Sequence, residues 1–329
     1  MISRSSQMNI LFMNPAIGSL NIGDEIIASS AKNEIEFLTT SKRIVEISSH
    51  TPVSKYGNHF DSFTYKFVLG SNLLKSKMNS SFRQWNISFR DVKRLSNSIL
   101  FGVGWWKYEQ KPNAYTQRLY RKILSNSYIH SVRDSYTENK LKSIGIKNVL
   151  NTSCPTMWKF TKAFCKRVNT TKARNVVFTL TDYNKNPFFD KQLIEILNKN
   201  YEKLYFFPQG FDDLKYLEQL GMKSNNIEII SENLSAFRGL IGNDYDIEYV
   251  GTRLHAGIEA LNYGRRTTII GIDNRAIVKK KDFNLNVLPI QDLNQLDYLL
   301  YSQIKCEITI PEENIFKWKQ QFKKGNLSD

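Results

Sequence analysis

Short apolar or β-branched runs alternate with stretches of helical period along nearly the whole chain, and few architectures accommodate such a pattern. In the first half, runs at 8–13, 43–48, 65–69, 99–103 and 128–132 read as strands, separated by helical intervals at 24–37, 115–124 and 135–144. Strands joined through helices pair in parallel, because the crossover returns the chain to the same end of the sheet, and the helices then cover the sheet faces. Asp134-Ser135 can cap a helix that Gly145 ends, and Gly23-Asp24 can open the first one. From 151 to 174 the pattern dissolves into Thr, Ser, Cys, Pro, Lys and Asn. It then resumes, with strands expected at 175–180, 203–207, 227–230, 245–250 and 267–272 and helices at 190–200, 212–220, 235–241 and 255–263. The expectation is an α/β chain of two Rossmann-like domains, 1–165 and 166–329, with strand C-terminal ends turned to a ligand cleft. The tail 311–324, acidic at its start and basic at its end, suits a closing amphipathic helix matched to its own dipole.

Composition narrows the partners. The 46 Lys and Arg outnumber the 31 Asp and Glu, a formal charge of +15, which favours an anionic substrate, an anionic membrane surface or nucleic acid. No zinc pattern or RNA-binding aromatic signature is present, so nucleic acid is not the expected partner. Cys154, Cys165 and Cys306 lack both an even count and paired spacing, so neither a disulfide framework nor a metal site is expected, and a reducing cytosol is the expected location. The apolar run after the first residues is too short for a signal peptide, and no uncharged run has membrane-spanning length, so any membrane contact is expected to be peripheral.

Four segments can carry chemistry. After the first strand, Gly18-Ser19-Leu20-Asn21-Ile22-Gly23-Asp24 is a turn running into a helix, without either standard glycine-rich phosphate motif. Asp24 there is a helix cap, or else, with Asn21, a cleft-edge group that binds a hydroxyl or takes its proton; small Gly23 lets a ligand approach the backbone. Gly102-Val103-Gly104-Trp105-Trp106 follows another strand, and its tryptophans either stack on a sugar or fill the core. Ser131-Val132-Arg133-Asp134 delivers an arginine at a strand end, as a local ion pair with Asp134 or as an anion ligand. Finally, Thr252-Arg253-Leu254-His255-Ala256 puts a guanidinium and an imidazole two residues apart where strand gives way to helix, a place suited to an anion and a proton exchange. His50, His59 and His130 have no such context.

Taken in order, Asn21-Ile22-Gly23-Asp24, Ser131-Val132-Arg133-Asp134, Cys154-Pro155, and Thr252-Arg253-Leu254-His255-Ala256 followed by Gly264 resemble the polysaccharide pyruvyl transferase family over nearly the whole chain. The chain has Gly70-Ser71-Asn72 where members often carry a more glycine-rich turn, and Cys154-Pro155 where they often carry Asp-Pro. The resemblance implies a glycosyltransferase-B-like pair of domains that moves the enolpyruvyl carbons of phosphoenolpyruvate onto a sugar, usually as a cyclic ketal. It implies Arg133 and Arg253 as an anion clamp, His255 as general acid and Asp24 as a candidate base. Leu254, Asn21, Gly23, Gly104 and Trp105 complete the expected substrate-binding set. No metal or organic cofactor is expected; the partners are phosphoenolpyruvate and a free, polymeric or lipid-linked glycan, the last at the inner membrane face. A nucleotide-sugar glycosyltransferase of the same fold is the competing enzyme, and a non-catalytic glycan- or nucleic-acid-binding protein the competing class.

Overall fold

A computed structural model of the chain describes residues 9–40, 42–55, 59–222, 226–244 and 246–323; the expected strand starts at Met8 and Tyr245 and helix end at Lys324 lie outside them. The chain divides into two compact units: Met1–Ser19, Ile27–Trp158 and Pro311–Asp329 form the N-terminal unit, Leu20–Ile26 and Lys159–Ile310 the C-terminal one.

The N-terminal unit is built on a parallel sheet of β1 (Asn9–Asn14), β2 (Arg43–Ser48), β3 (Tyr65–Leu69) and β4 (Ser98–Phe101), in the order β2-β1-β3-β4. Phe12 pairs with Phe67, and Phe67 with Ile99. All residues of β3 and β4 are buried, as parallel strands covered on both faces require. A two-stranded parallel ladder, β5 (His130–Val132) with β6 (Val149–Asn151), is tied to the end of β4, where the Gly102 N–H donates to Ser131 O at 3.0 Å. Two side-chain hydrogen bonds fix that junction: the Leu100 N–H donates to His130 Nδ1 (3.1 Å), and His130 Nε2 donates to Ser125 O (2.9 Å). The ring is therefore neutral, protonated on Nε2, and burial holds its pKa down to about 4.

Helices α1 (Ile22–Glu34), α2 (Ala114–Ile123) and α3 (Ser135–Ser143) fill the intervals. Asp134 caps α3 by accepting the Thr137 N–H at 2.7 Å, and Gly145 follows the helix end with φ of 87°, as the sequence suggests. α1 opens at Ile22, so Asp24 lies inside its first turn rather than capping it.

The C-terminal unit carries six parallel strands: β7 (Asn175–Thr179), β8 (Lys203–Phe206), β9 (Ile227–Ile229), β10 (Ile247–Gly251), β11 (Thr267–Gly271) and β12 (Val287–Pro289). Their order, β12-β11-β10-β7-β8-β9, means that the chain winds outward from β7 to one edge, returns to the centre at β10 and winds outward to the other. The β7/β10 pair is thus the topological switch point, where connections leave in opposite directions and open a crevice beyond the strand ends. Helices α4 (Pro187–Asn200), α5 (Asp213–Gln219), α6 (Leu234–Asn243), α7 (Leu254–Asn262), α8 (Asn274–Phe283) and α9 (Leu296–Tyr301) connect these strands or follow the last.

Two expectations about domain limits need correction. The crossing falls between Trp158 and Lys159 rather than at 165/166, and the closing helix α10 (Glu312–Lys323) belongs to the N-terminal unit. The reason is aromatic packing: Trp318 and Phe322 are fully buried, with ring centroids 4.4 Å from Phe101 and 5.4 Å from Phe67, respectively. The expected α/β class, two parallel-sheet units and a closing C-terminal helix, is the architecture observed.

Candidate active site

Arg253 sits at the switch point, where β10 has ended and α7 begins. A set of hydroxyls fixes this turn. The Thr252 N–H donates to Thr179 O (3.2 Å), the Arg253 N–H to Thr179 Oγ1 (3.1 Å), and the Tyr249 hydroxyl to Arg253 O (2.8 Å), while Thr181 and Thr252 share a hydroxyl bond of 2.8 Å. Every residue from Leu254 to Leu261 is buried, His255 and Leu254 at 5% and 6% exposure, so α7 is a core helix whose first turn faces the strand ends.

The Arg253 guanidinium does not stand free, as a bidentate clamp for substrate would require. Its Nε donates to Leu180 O (2.9 Å) and to Asp213 Oδ2 (3.1 Å), and its Nη2 to Asp182 Oδ1 (2.8 Å) and to Asp213 Oδ1. The fork already holds a carboxylate, that of Asp213. Asp213 has no solvent exposure and also accepts the N–H groups of Asp182 (2.9 Å), Gln209 (3.0 Å) and Gly210 (2.7 Å). Burial pushes the Asp213 carboxyl up, and Arg253 pulls it back toward the charged form. Asp182 is the more accessible partner, at 18% side-chain exposure.

The same carboxylate links the Arg253 turn to the first motif. Asp213 fixes the Gln209-Gly210 turn, and that turn grips Asn21: the Ile22 N–H donates to Gln209 O (3.0 Å), Gln209 Nε2 donates to Asn21 Oδ1 (3.0 Å), and Asn21 and Gly210 form an antiparallel bridge. Two glycines lie where a Cβ would press on these side chains. A Cβ on Gly210 would lie 2.1 Å from Arg253 Nη2, and one on Gly23 would lie 2.6 Å from Gln209 Nε2. Asn21, Gly23 and Asp24 therefore belong to the same unit as Arg253, Leu254 and His255. Sequence reading missed Asp213, Asp182, Gln209 and Gly210; the one signal was Pro208-Gln209-Gly210 with two aspartates between a strand and a helix, which reads as an ordinary helix start.

Arg133, Gly104 and Trp105 lie in the N-terminal unit. Arg133 follows β5, is 4% exposed, and its Nε pairs with Asp134 at 3.2 Å, so the local ion pair considered for this strand end does form. Gly104 packs under the guanidinium, where a Cβ would meet Arg133 Nε at 2.1 Å. Trp105 is not a stacking platform. It is 3% exposed, edge-on to Tyr120, and its Nε1 donates to Glu109 (2.9 Å), because the adjacent backbone bridge to Leu74 turns this side chain into the core. The half-buried tryptophan of the pair is Trp106.

Among the described residues, no three His, Cys, Asp or Glu side chains gather as a metal-binding group, and no helix is long and apolar enough to cross a membrane. The geometry defines an α/β protein with an arginine-histidine turn at the switch point of a doubly wound sheet. The chain belongs to the polysaccharide pyruvyl transferase family, whose sequence model matches residues 21–274, and is accordingly a transferase with a glycan acceptor. No curated protein matches it in sequence. Among solved structures it is similar to a UDP-GlcNAc 2-epimerase from Neisseria meningitidis bound to UDP-GlcNAc (TM-score 0.49, 11% identity, covering 98% of this chain and 99% of that one). It is also similar to S. aureus MnaA in a co-structure with UDP (TM-score 0.48, 10% identity, 96% of each chain).

Proposed function

We propose that the protein transfers the enolpyruvyl group of phosphoenolpyruvate to a glycan and forms a cyclic ketal on two hydroxyls. The observation that carries this reading is the Arg253-Leu254-His255 turn at the β7/β10 switch point, in a chain whose family transfers pyruvyl groups. Phosphoenolpyruvate enters with a phosphate and a carboxylate. One of them competes with Asp182 for Arg253 Nη2, while buried Asp213 keeps the side chain in place. Leu254, Asn21 and Gly23, in the same unit as Arg253, shape the surface around the ligand.

His255 protonates the methylene carbon, which leaves the neighbouring carbon electrophilic, and one sugar hydroxyl adds there. The C–O bond to phosphate then breaks and the second hydroxyl closes the ketal. Of the two hydroxyl protons, one leaves with phosphate and one restores His255, with Asp24 the candidate acceptor on the way. Each step is a proton transfer or an exchange of C–O bonds, so the scheme calls on no redox or carrier cofactor and on no metal. A cytoplasmic location, with peripheral attraction of the +15 chain to an anionic inner membrane face, suits a lipid-linked acceptor.

The test is a pair of ligands and a product. Phosphoenolpyruvate should raise the thermal unfolding temperature while UDP does not, and mass spectrometry of glycans incubated with protein and phosphoenolpyruvate should show added pyruvate. Stabilisation by UDP alone, with no response to phosphoenolpyruvate, would instead mark a nucleotide-sugar enzyme.

A further inference from the structure

In the N-terminal unit, the segments 71–88 and 102–113, which follow β3 and β4, are laced together at the C-terminal edge of the sheet. The Trp106 N–H donates to Leu74 O (2.8 Å), the Asn113 N–H to Ser76 O (3.1 Å), and Ser76 Oγ to Gln110 O (2.7 Å). These thirty residues contain five basic side chains and one acidic one, Glu109. Glu109 is occupied within the protein, accepting Trp105 Nε1 (2.9 Å) and the Ser76 N–H (2.7 Å). Lys75 meets neutral oxygens, Ser80 Oγ and Phe82 O, both at 2.9 Å, and Lys75, Lys77, Lys107 and Lys111 form no ion pair among the described residues.

Aromatic rings are set among these charges. The centroid of Trp106 is 5.4 Å from that of Phe82, which is 53% exposed, and the Lys107 and Lys75 ammoniums lie 4.2 and 4.6 Å from the Trp106 centroid. Tyr108, also 53% exposed, extends the aromatic surface. Exposed rings set in an uncompensated basic surface suit a ligand with both an apolar face and a negative charge. Arg133 lies beside these loops, its N–H donating to Val103 O (3.2 Å) and its side chain against Gly104.

We infer that this surface is an acceptor subsite for a glycan bearing an anionic group, a carboxylate or a phosphate. One sugar face lies against Trp106 and Phe82, and Lys75 and Lys107 turn from the ring to the anion. The inference rests on the glycan-directed reading of the protein, and the subsite takes the acceptor rather than phosphoenolpyruvate.

Titration calorimetry on the whole chain tests it, with hyaluronan tetrasaccharide as the carboxylate probe, glucose 1-phosphate as the phosphate probe and chitotetraose as the neutral one. The wild type should bind at least one anionic probe more tightly than chitotetraose, with affinity falling as salt rises. Trp106→Ala should weaken that binding by about tenfold, Trp106→Phe by less, and Lys75→Gln with Lys107→Gln should remove the preference for the anionic probe. Equal wild-type affinity for neutral and anionic probes, or unchanged affinity in both Trp106→Phe and the double lysine variant, would overturn the subsite. So would Trp106-dependent binding of phosphatidylglycerol vesicles with no saccharide bound. Phosphoenolpyruvate is titrated into the same samples: a wild type that ignores it but binds the anionic saccharide through Trp106 refutes pyruvyl transfer and leaves the subsite standing.

Discussion

At single residues, the chemistry proposed for the site depends on how Arg253 is held. Its fork closes on Asp213, a carboxylate forty positions earlier in the chain that also holds the Gln209-Gly210 turn. Asp213→Asn keeps a side chain of the same size but removes the charge and one acceptor oxygen, so Arg253 loses its fixed orientation. Turnover with phosphoenolpyruvate should fall by about tenfold or more, since small misplacements of catalytic groups carry costs of that order, while circular dichroism stays native; unchanged kinetics would remove Asp213 from any positioning role. Gly210→Ala should act in the same direction, through a Cβ at 2.1 Å from Arg253 Nη2. His255→Ala should lower turnover by about 10²-fold if the imidazole is the acid, and near-normal pyruvylation by a folded variant would exclude it. The place of Arg253 and His255 at a strand-helix junction was legible because residue type and spacing are local. Asp213 was not, since what makes it matter is a contact across two strands. Trp105 and Trp106 divide, the first into the core and the second half-buried, because adjacent side chains of an extended segment point to opposite sides, and composition does not say which faces inward.

At the scale of elements, the alternation of apolar runs reported the parallel strands well, because buried strands are continuous apolar stretches bounded by turns. Strand order was not written in that pattern, so the switch point at β7/β10 emerged only from the pairing. The junction of β4 with β5 yields a pH prediction. Folded His130 resists protonation until about pH 4, whereas an unfolded imidazole titrates near 6.5, so the unfolded chain gains the proton first as pH falls. This contribution is fully present above pH 6.5, is lost between 6.5 and 4, and amounts to something on the order of 3 kcal/mol. Denaturant unfolding at a series of pH values should show the decline, and His130→Asn should flatten it; the same slope in both proteins would assign the titration elsewhere.

At the scale of the whole molecule, the chain crosses between units near Trp158 and returns at Pro311, so its C-terminal helix completes the N-terminal unit. The helix itself was legible from its period and charge order, but its destination was not, because the rings that receive Trp318 and Phe322 come from β3 and β4. Trp318→Ala should destabilise the protein by about 3–5 kcal/mol, measured as a lowered denaturant midpoint; a loss under 1 kcal/mol would mean that the helix is only loosely seated. Family membership establishes a transferase acting on glycans, and the donor is what the active-site proposal adds. Calorimetric titration of phosphoenolpyruvate into the wild type and Arg253→Lys tests that claim most directly, because lysine keeps the charge and loses the planar fork. Saturable binding by the wild type and a clear loss of affinity in the variant are expected; no binding by the wild type, or equal binding by both, would contradict phosphoenolpyruvate as the donor held by Arg253.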